Sequence, residues 1–465
     1  MEKLLQTVKT VNAYTADYVL VILLVAVGIF FTVKTRFVQI RCFGEGIKAV
    51  FGKISLRGGK QKNGLSSFQA LTTAIAAQVG TGNIIGASGA ILTGGPGAIF
   101  WMWIIAFFGM ATIYAEAVLA QSTKEVGTGG TVYGGPVYYI KASFRGKFGK
   151  ALAGFFAIAA VLALGFMGAM VQSNSIGEAT ANAFSVSPWI IGIAVAVLAA
   201  VIFVGGVNRV ASVTEKMVPF MAIFYILACL IVIVARIRYV PETFEMIFRF
   251  AFKPQAILGG AFGVALKEAI SQGAKRGLFS NEAGMGSTPH AHALANVEKP
   301  HDQGVVAMIG VFLDTFVILT LTAITIISTL YAGNGILANG TAEGVEKTNM
   351  AQLAFGEVFG TTIGNVLVAV CLFFFAFSTI IGWNLFGKIN FTYLFGKKSA
   401  VVYSVISIAF IFLGSCLSND LVWELTDLFN YLMVIPNVIA IVALSKTVSK
   451  SARTAAKEKK RKKTK

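Results

Sequence analysis

Gln78-Val79-Gly80-Thr81-Gly82-Asn83 stands at the centre of an apolar stretch that covers residues 66–93. Glycine destabilises a helix interior by about 1 kcal/mol relative to alanine, and the Gln, Thr and Asn side chains add polar groups at bilayer depth. Irregular backbone inside a membrane is tolerated only around a cavity or a site. The stretch therefore predicts a helix that is interrupted at a binding site. Close packing of helices through small residues is the alternative.

The composition of the whole chain shows why a bilayer is the relevant solvent. Of the 465 residues, 56% are hydrophobic and 13% are charged, and the mean hydropathy is +0.75. Soluble domains carry about 25% charged residues, so this chain cannot cover a water-facing surface. The composition excludes a soluble enzyme and predicts a multi-pass membrane protein.

Eleven apolar runs predict an all-α polytopic membrane protein with eleven transmembrane helices, because about 20 helical residues cross the hydrocarbon core. The runs lie at residues 15–33, 66–93, 97–122, 151–182, 189–206, 213–235, 255–280, 304–331, 362–391, 400–417 and 425–446. The seventh run carries the second predicted interruption, where Gly259, Gly260 and Gly263 precede Lys267-Glu268 and Ser271-Gln272-Gly273.

These two interruptions fall in the first and sixth of ten consecutive helices, which predicts a 5+5 inverted repeat after one extra N-terminal helix. The chain then divides into an N-terminal helix with a basic loop (1–65), a first five-helix repeat (66–235), an extracytoplasmic amphipathic segment (236–254), a second repeat (255–446) and a basic tail (447–465).

The basic residues predict the orientation. Lys and Arg number 39 against 21 Asp and Glu. If the loop at 33–65 is cytoplasmic, alternate connections place 31 of the 39 on that side, Lys275 and Arg276 among them. Cytoplasmic loops retain Lys and Arg during insertion. We therefore expect a plasma-membrane protein with its N-terminus outside and its C-terminus inside, and no nucleic-acid partner. The tail predicts either a disordered topological anchor or a segment that binds anionic lipid.

Several further motifs follow the first one in a recognisable order. They are Gly94-Gly95-Pro96-Gly97 with Trp101-Met102-Trp103, Tyr114-Ala115-Glu116-Ala117, Val171-Gln172-Ser173-Asn174 and Arg276-Gly277-Leu278-Phe279-Ser280-Asn281. Over nearly the whole chain the sequence resembles the alanine/glycine:cation symporter family. The resemblance implies a LeuT-like fold and import of small neutral amino acids with Na⁺, or with H⁺ in some members, without an organic cofactor.

The same resemblance implies the ligands. Thr81 and Gly82 would offer backbone N–H groups to the substrate carboxylate, as a helix N-terminus does. Five oxygens would bind Na⁺: the carbonyls of Ala76, Val79 and Phe375 and the hydroxyls of Ser378 and Thr379. Hydrogen bonding of these hydroxyls within their own helix is the alternative. The substrate pocket would be completed by Ala77, Gln78, Gly80, Asn83, Gln172, Asn174, Ser271, Gln272, Gly273 and Trp383.

Four acidic residues lie within the apolar runs, namely Glu116, Glu178, Glu268 and Asp314. Ionisable residues inside membranes are usually functional or paired. We interpret Glu116 and Asp314 as structural, with Glu116 close enough to pair with a loop cation, and proton coupling is the alternative. His290, His292 and His301 share one connection, but their spacing does not predict a metal site.

Together these features predict a secondary transporter for a small neutral amino acid. A membrane-embedded enzyme is disfavoured because no nucleophile–base pair lies in the runs. A channel is disfavoured because only two interrupted helices are predicted. Coupling to H⁺ and a preference for glutamine or serine stay open, and the sequence does not indicate the oligomeric state.

Overall fold

A computed structural model describes residues 2–52, 64–127, 131–253, 262–340 and 342–463. Its first half contains the helices α1 (2–34, with a π-helical segment at Thr15–Leu20), α2 (Val38–Arg41), α3 (Phe43–Phe51), α4 (Ser67–Gln78), α5 (Gly82–Gly94), α6 (Ala98–Thr123), α7 (Pro136–Ser143), α8 (Gly146–Phe184), α9 (Pro188–Phe203), α10 (Gly206–Ala235) and α11 (Val240–Phe252). Two short antiparallel strands, β1 (Glu125–Val126) and β2 (Val132–Tyr133), pair between α6 and α7.

The second half is also helical. It contains α12 (Phe262–Asn281), α13 (Pro289–Leu294), α14 (Pro300–Leu330), α15 (Met350–Phe359), α16 (Thr361–Phe395), α17 (Lys397–Cys416), α18 (Asn419–Ala443) and α19 (Ser445–Lys463).

The helices agree with a multi-pass membrane architecture. Within the described residues, seven helices are long and apolar enough to cross a membrane, and the bent pair α4 and α5 makes an eighth span if it is counted as one. The segment Val21–Lys34 of α1 and the helix α9 are shorter apolar helices at two more of the predicted runs. The helical, multi-pass class is confirmed, whereas the count of eleven spans and the inverted repeat stay predictions.

The second predicted span is broken where the sequence places the break. Ser66 caps α4, since its hydroxyl accepts the Gln69 N–H while the Gln69 side chain accepts the Ser66 N–H. The helix ends at Val79, whose ψ of 90° leaves the helical region. The chain resumes as α5 at Gly82, bent by 48° from α4.

The predicted interruption of the seventh span is wrong in position. α12 is a regular helix through Lys267 and Gly273, while Gly259 and Gly260 lie outside the described residues. The chain leaves the helix at residues 282–288 and resumes at Pro289. Gly284 and Gly286 have φ angles of +92° and +81°, which glycine adopts without steric cost. Two glycines therefore lie at the second break, as Gly80 and Gly82 do at the first. The first of the two, Gly284, lies about one helical turn after residue 280, where the span was predicted to end.

Because the break comes later, Arg276 lies within α12 and not in a connecting loop. Its guanidinium pairs with Asp427 at 2.9 Å and lies over the Trp423 ring, as does Lys347. The sequence analysis places Lys347 outside and Arg276 inside, so the expectation for Arg276 is wrong. The other basic clusters keep to separate ends, with Lys9 and Lys347 both beside Asp420.

The interrupted helices lie at the centre of the bundle, surrounded by long helices. α8 packs on α16 and α17, α6 packs on α12 and α14, and α10 packs on α4. The extra N-terminal helix α1 packs outside them, against α6 and α18. The first part of the tail belongs to α19, which packs on α6 and α14, while the basic end at residues 457–465 lies largely outside the described side chains, so its disorder or lipid binding stays a prediction.

We predict that Gly304→Leu lowers the apparent melting temperature of the purified protein. A Cβ at Gly304 would stand 2.8 Å from the Tyr114 ring, so α6 and α14 would be forced apart. Overpacking of this kind costs about 1–3 kcal/mol. Gly154→Leu is the matched control, because no atom lies within 4 Å of a Cβ there. Equal melting temperatures for the two variants would contradict the described contact.

Candidate functional site

Five oxygens converge beside the interruption of α4. The Ser378 hydroxyl lies 3.2 Å from the Ala76 carbonyl oxygen, 3.5 Å from that of Val79 and 2.8 Å from that of Phe375. The Thr379 hydroxyl lies 3.0 Å from the Ala76 oxygen and 3.1 Å from the Phe375 oxygen. All five residues are buried. The structure thus brings together every residue of the predicted ion site.

The chemistry of this oxygen cluster suits a hard cation. Alkali and alkaline-earth ions prefer neutral or anionic oxygen ligands, and the carbonyls at the end of α4 lack the helical partners that interior carbonyls have. Each hydroxyl donates to carbonyls here, yet rotation of its proton would direct its lone pairs to an ion. Each hydroxyl also donates to the Phe375 carbonyl within its own helix. The geometry of Ser378 and Thr379 therefore fits both an ion site and hydrogen bonding within the helix.

Backbone N–H groups face the other side of the break. The Thr81 N–H donates to the Gln172 side-chain oxygen at 3.2 Å, and the Gly80 N–H donates to the Asn83 side chain at 3.0 Å. A Cβ at Gly80 would lie 2.3 Å from the Thr379 hydroxyl. Only glycine therefore fits between the break and α16.

A buried carboxylate supports the start of α5. Asp314 of α14 accepts hydrogen bonds from the Asn83 amide at 2.6 Å and from the Ser280 hydroxyl at 2.9 and 3.0 Å. Thr315 donates to it as well, at 2.8 Å. Asp314 therefore joins α5, α12 and α14 at the level of the break, and the sequence analysis gave it no place there.

Three buried polar atoms of the break and of its neighbour Gln172 lack partners within the described chain. Among the described residues, the buried Gln78 Oε1, Thr81 Oγ1 and Gln172 Nε2 have no hydrogen-bond partner. The other end of the Gln78 amide donates to the Asn281 carbonyl at 2.7 Å. A buried polar atom left unpaired costs about 1–3 kcal/mol. A small ligand with both donors and acceptors would recover that cost.

Aromatic rings form the wall next to these groups. Phe279 contacts Trp383 and Trp423, with ring centroids 5.7 and 4.7 Å away, and a Cβ at Gly82 would lie 3.0 Å from its ring. The Trp383 indole N–H donates to Glu282. The predicted pocket residue Trp383 is therefore linked to the break through Phe279, which lies between them.

Glu116 holds the second interruption in place. Its carboxylate accepts the N–H groups of Gly284 and Gly286, each at 3.0 Å, and the Asn437 amide at 2.6 Å. Asn437 also donates to the Gly284 carbonyl and accepts from Tyr139. All three of these donors are neutral amide N–H groups, so the expected pairing of Glu116 with a loop cation is wrong.

Three predicted pocket residues lie elsewhere. The Gln272 amide donates to Glu268, and its Cβ lies against Gly94 at the far end of α5. Gly273 packs on Trp101, and Asn174 donates to the carbonyls of Gly414 in α17 and of Leu417, which follows α17. Ser271 is buried on the same helix as Gln272. Ala77 lies at the break, 3.2 Å from a Cβ built on Gly382.

The three histidines have separate partners. His290 contacts Asn390, His292 contacts Gln303 and His301 contacts Tyr114, at 2.8, 2.8 and 2.7 Å. They do not converge on one point.

Sequence reasoning missed the residues that come from the displaced break. Ser280, Asn281 and Asp314 contact the first interruption, and Arg276 with Asp427 lies beside its aromatic wall. For Arg276 and Asp427 a signal was available, because charges of opposite sign within separate spans usually pair with each other.

A broken helix with buried oxygens on one side, and on the other N–H groups that donate to side chains instead of helical carbonyls, defines a class, that of membrane transporters with discontinuous helices. The comparisons with known proteins agree. The model of the sodium:alanine symporter family matches residues 1–465, and the chain belongs to this family. It is a multi-pass amino-acid transporter and not an enzyme.

Two relatives illustrate the range of the family. The chain is 40% identical over 443 residues to the sodium/alanine symporter AgcS of Methanococcus maripaludis, covering 95% of each chain. It is 39% identical over 447 residues to the probable sodium/glutamine symporter GlnT of Bacillus subtilis, covering 95% of this chain and 88% of that one. Among solved structures, MhsT in complex with L-phenylalanine matches with a TM-score of 0.58 at 14% identity, covering 82% of this chain and 89% of that one. This last likeness concerns the fold alone.

We predict that Gly82→Leu abolishes transport while the protein still inserts and folds. A side chain at Gly82 would meet the Phe279 ring and the Ser280 backbone, and it would fill the space in front of the N–H groups. Gly263→Leu is the control, because no atom of the described residues lies within 4 Å of a Cβ there. Uptake in proteoliposomes and monodispersity in detergent are measured together. Normal uptake by Gly82→Leu would mean that the break serves packing only.

Proposed function

We propose that this protein imports small neutral amino acids, alanine and glycine first, in symport with Na⁺. The observation that carries the proposal is the cluster of five oxygens next to the broken helix. Ala76 and Val79 supply carbonyls from the end of α4, while Ser378 and Thr379 supply hydroxyls from α16. An ion bound there would hold the broken helix against its neighbour.

The substrate carboxylate would bind at the start of α5. The N-terminal end of a helix carries partial positive charge and free N–H groups, which favour an anion. The Gln172 side-chain oxygen now accepts the Thr81 N–H, so a carboxylate oxygen would replace an amide oxygen there. The released Gln172 amide could then donate to the same carboxylate.

Coupling follows if one rigid element serves both ligands. The two sites share the backbone from Ala76 to Gly82, so ordering of this segment by Na⁺ lowers the cost of ordering it for the amino acid. Linkage requires the substrate to raise the affinity for Na⁺ by the same factor. One net charge moved inward across 100 mV gains about 2.3 kcal/mol, which would support accumulation. Alternating access would then move one group of helices against another around this site.

The charges around the site favour a neutral substrate. Arg276 and Asp427 pair with each other, and Asp314 and Glu282 each accept hydrogen bonds from neighbouring side chains. An acidic side chain on the substrate would therefore meet no free cation, and a basic one would have to displace the hydrogen bonds of Asp314 or Glu282, so each would cost free energy that a neutral side chain does not. The unpaired atoms of Gln78 and Gln172 would suit a polar side chain, so serine and glutamine are the proposed additional substrates.

The proposed setting is the plasma membrane, with the N-terminus outside and the C-terminus in the cytoplasm. The ion pairs of Lys9 and Lys347 with Asp420 lie at the end of the bundle opposite the basic tail, which supports this orientation under the positive-inside rule. The proposed 5+5 inverted repeat is supported by one interruption in each half of the chain.

We predict that Ser378→Ala and Thr379→Ala raise the Na⁺ concentration for half-maximal alanine uptake by about tenfold or more, since each removes one of the five oxygens. Ser404→Ala is the control, because that hydroxyl donates only to the Ala400 carbonyl among the contacts of the described chain. The assay is uptake of labelled alanine into proteoliposomes over a Na⁺ titration. Wild-type half-saturation in both test variants would place the ion elsewhere.

We further predict that Gln172→Leu weakens uptake of alanine and glutamine, whereas Gln272→Leu changes neither. Gln172 lies on the Thr81 N–H, and Gln272 lies against Gly94 at the far end of α5. The sequence alone assigned Gln272 to the pocket, and the structure supports the opposite expectation. A competition panel of twenty amino acids against labelled alanine measures both effects.

The same panel on the wild-type protein tests the neutral specificity. Strong competition by arginine or glutamate would refute it.

Proton coupling is the second candidate, and Asp314 is the observation that favours it. Its carboxylate is fully buried and contacts both α5 and α12 through Asn83 and Ser280. Uptake driven by an inward pH gradient in Na⁺-free vesicles would support H⁺. Uptake that requires Na⁺ and ignores the pH gradient would exclude it.

A further inference from the structure

A continuous cleft lies where the tail helix α19 packs beside the end of α1. It consists of two adjoining cavities of about 480 and 520 Å³, which share Lys34, Arg453 and Lys457 as lining residues. Seven basic residues line the cleft, and none of its lining residues is acidic: Lys34, Arg36, Arg41, Lys446, Lys450, Arg453 and Lys457. We call it the basic cleft.

The tail contributes one face of a regular helix to this cleft. Lys446, Lys450, Arg453 and Lys457 are spaced by four, three and four residues, which places them on one side of α19. The buried Val448 lies on the opposite side, against the bundle.

Two contacts hold the tail helix in this pose. The Ser449 hydroxyl reaches the Lys34 carbonyl at 3.4 Å, and Lys299 pairs with Glu458. The helix is therefore docked with its cationic face toward the cations at the end of α1.

Like charges that face each other across a cleft destabilise the pose unless an anion compensates them. The C-terminal carbonyls of α1 offset part of the charge. The nearby Glu45 contacts His301 at 3.3 Å and Glu458 contacts Lys299, and neither carboxylate lines the cleft. The convergence of seven cations therefore calls for a bound anion with several oxygens.

The surroundings of the cleft indicate where that anion comes from. Val33, Phe37 and Ile40 flank the basic residues and are 63%, 49% and 62% exposed. Large apolar side chains beside cations are the surface that a lipid meets at the edge of the hydrocarbon layer. Basic pockets between membrane helices bind anionic headgroups in this way.

We propose that the basic cleft binds the phosphate of an anionic phospholipid, with the acyl chains lying along Val33, Phe37 and Ile40. The lipid would join the tail helix to the extra N-terminal helix. This proposal does not depend on the transported substrate or on the coupling ion.

The test compares two double variants of the full-length protein in detergent. Lys34→Gln with Arg453→Gln removes two charges that line both cavities. Lys147→Gln with Lys150→Gln removes two exposed charges at the start of α8, outside the cleft. Short-chain phosphatidylglycerol is titrated and followed by native mass spectrometry, with phosphatidylcholine and inorganic phosphate as the other arms.

We expect phosphatidylglycerol to bind the wild type and the Lys147/Lys150 variant alike, and the Lys34/Arg453 variant about tenfold or more weakly. Equal affinities for the two variants would overturn the proposal. If inorganic phosphate displaces phosphatidylglycerol at a similar concentration, the cleft is a site for a soluble anion, and the proposal of a lipid site is overturned.

A second measurement uses the wild-type chain and so does not depend on the folding of a variant. A photoactivatable phosphatidylglycerol should label peptides that cover residues 30–41 and 446–457 more strongly than those that cover 146–151. Uniform labelling along the lipid-facing helices would contradict a specific site.

Discussion

Between Val79 and Thr81 the backbone leaves the helix inside a buried bundle, and the carbonyls and N–H groups released there must find new partners. This constraint determines what surrounds the break. α16 brings two hydroxyls to the carbonyls at the end of α4, and α8 brings an amide to the N–H of Thr81. Asp314 holds the start of α5 through Asn83. The contacts from α16 and α8 thus supply partners for backbone groups that the break leaves without helical hydrogen bonds.

The second interruption is stabilised by a different device. The backbone groups of the first contact neutral oxygens and amides, and Asp314 acts on it only through the Asn83 side chain, while the second has the Glu116 carboxylate directly on its N–H groups. A charged acceptor makes a stronger hydrogen bond than a neutral one, and Asn437 adds a further contact from α18. We infer that the second interruption is the more rigid of the two and that the first is the part of the site that responds to ligands.

The sequence predicted the class of fold and the first break for identifiable physical reasons, and its family resemblance predicted which oxygens lie together beside the break. Runs of apolar residues and the polar insertion at residues 78–83 are local signals, and Phe375, Ser378 and Thr379 are spaced by one helical turn. The second break was misplaced because glycine and polar residues within α12 are accommodated by packing, as Gly273 is against Trp101. The contacts of Asp314, Arg276 and Glu116 join separate helices, and no spacing along the chain encodes such partners. Gln272 was assigned by proximity to a break that lies elsewhere.

The central claim is that Na⁺ and the amino acid order the same segment of backbone, and reciprocal binding tests it most directly. The affinity of the purified protein for alanine is measured over a range of Na⁺ concentrations, and its affinity for Na⁺ over a range of alanine concentrations, in the absence of any gradient. The account predicts that each ligand strengthens the other by the same factor. An affinity for alanine that stays constant over the Na⁺ range would contradict it.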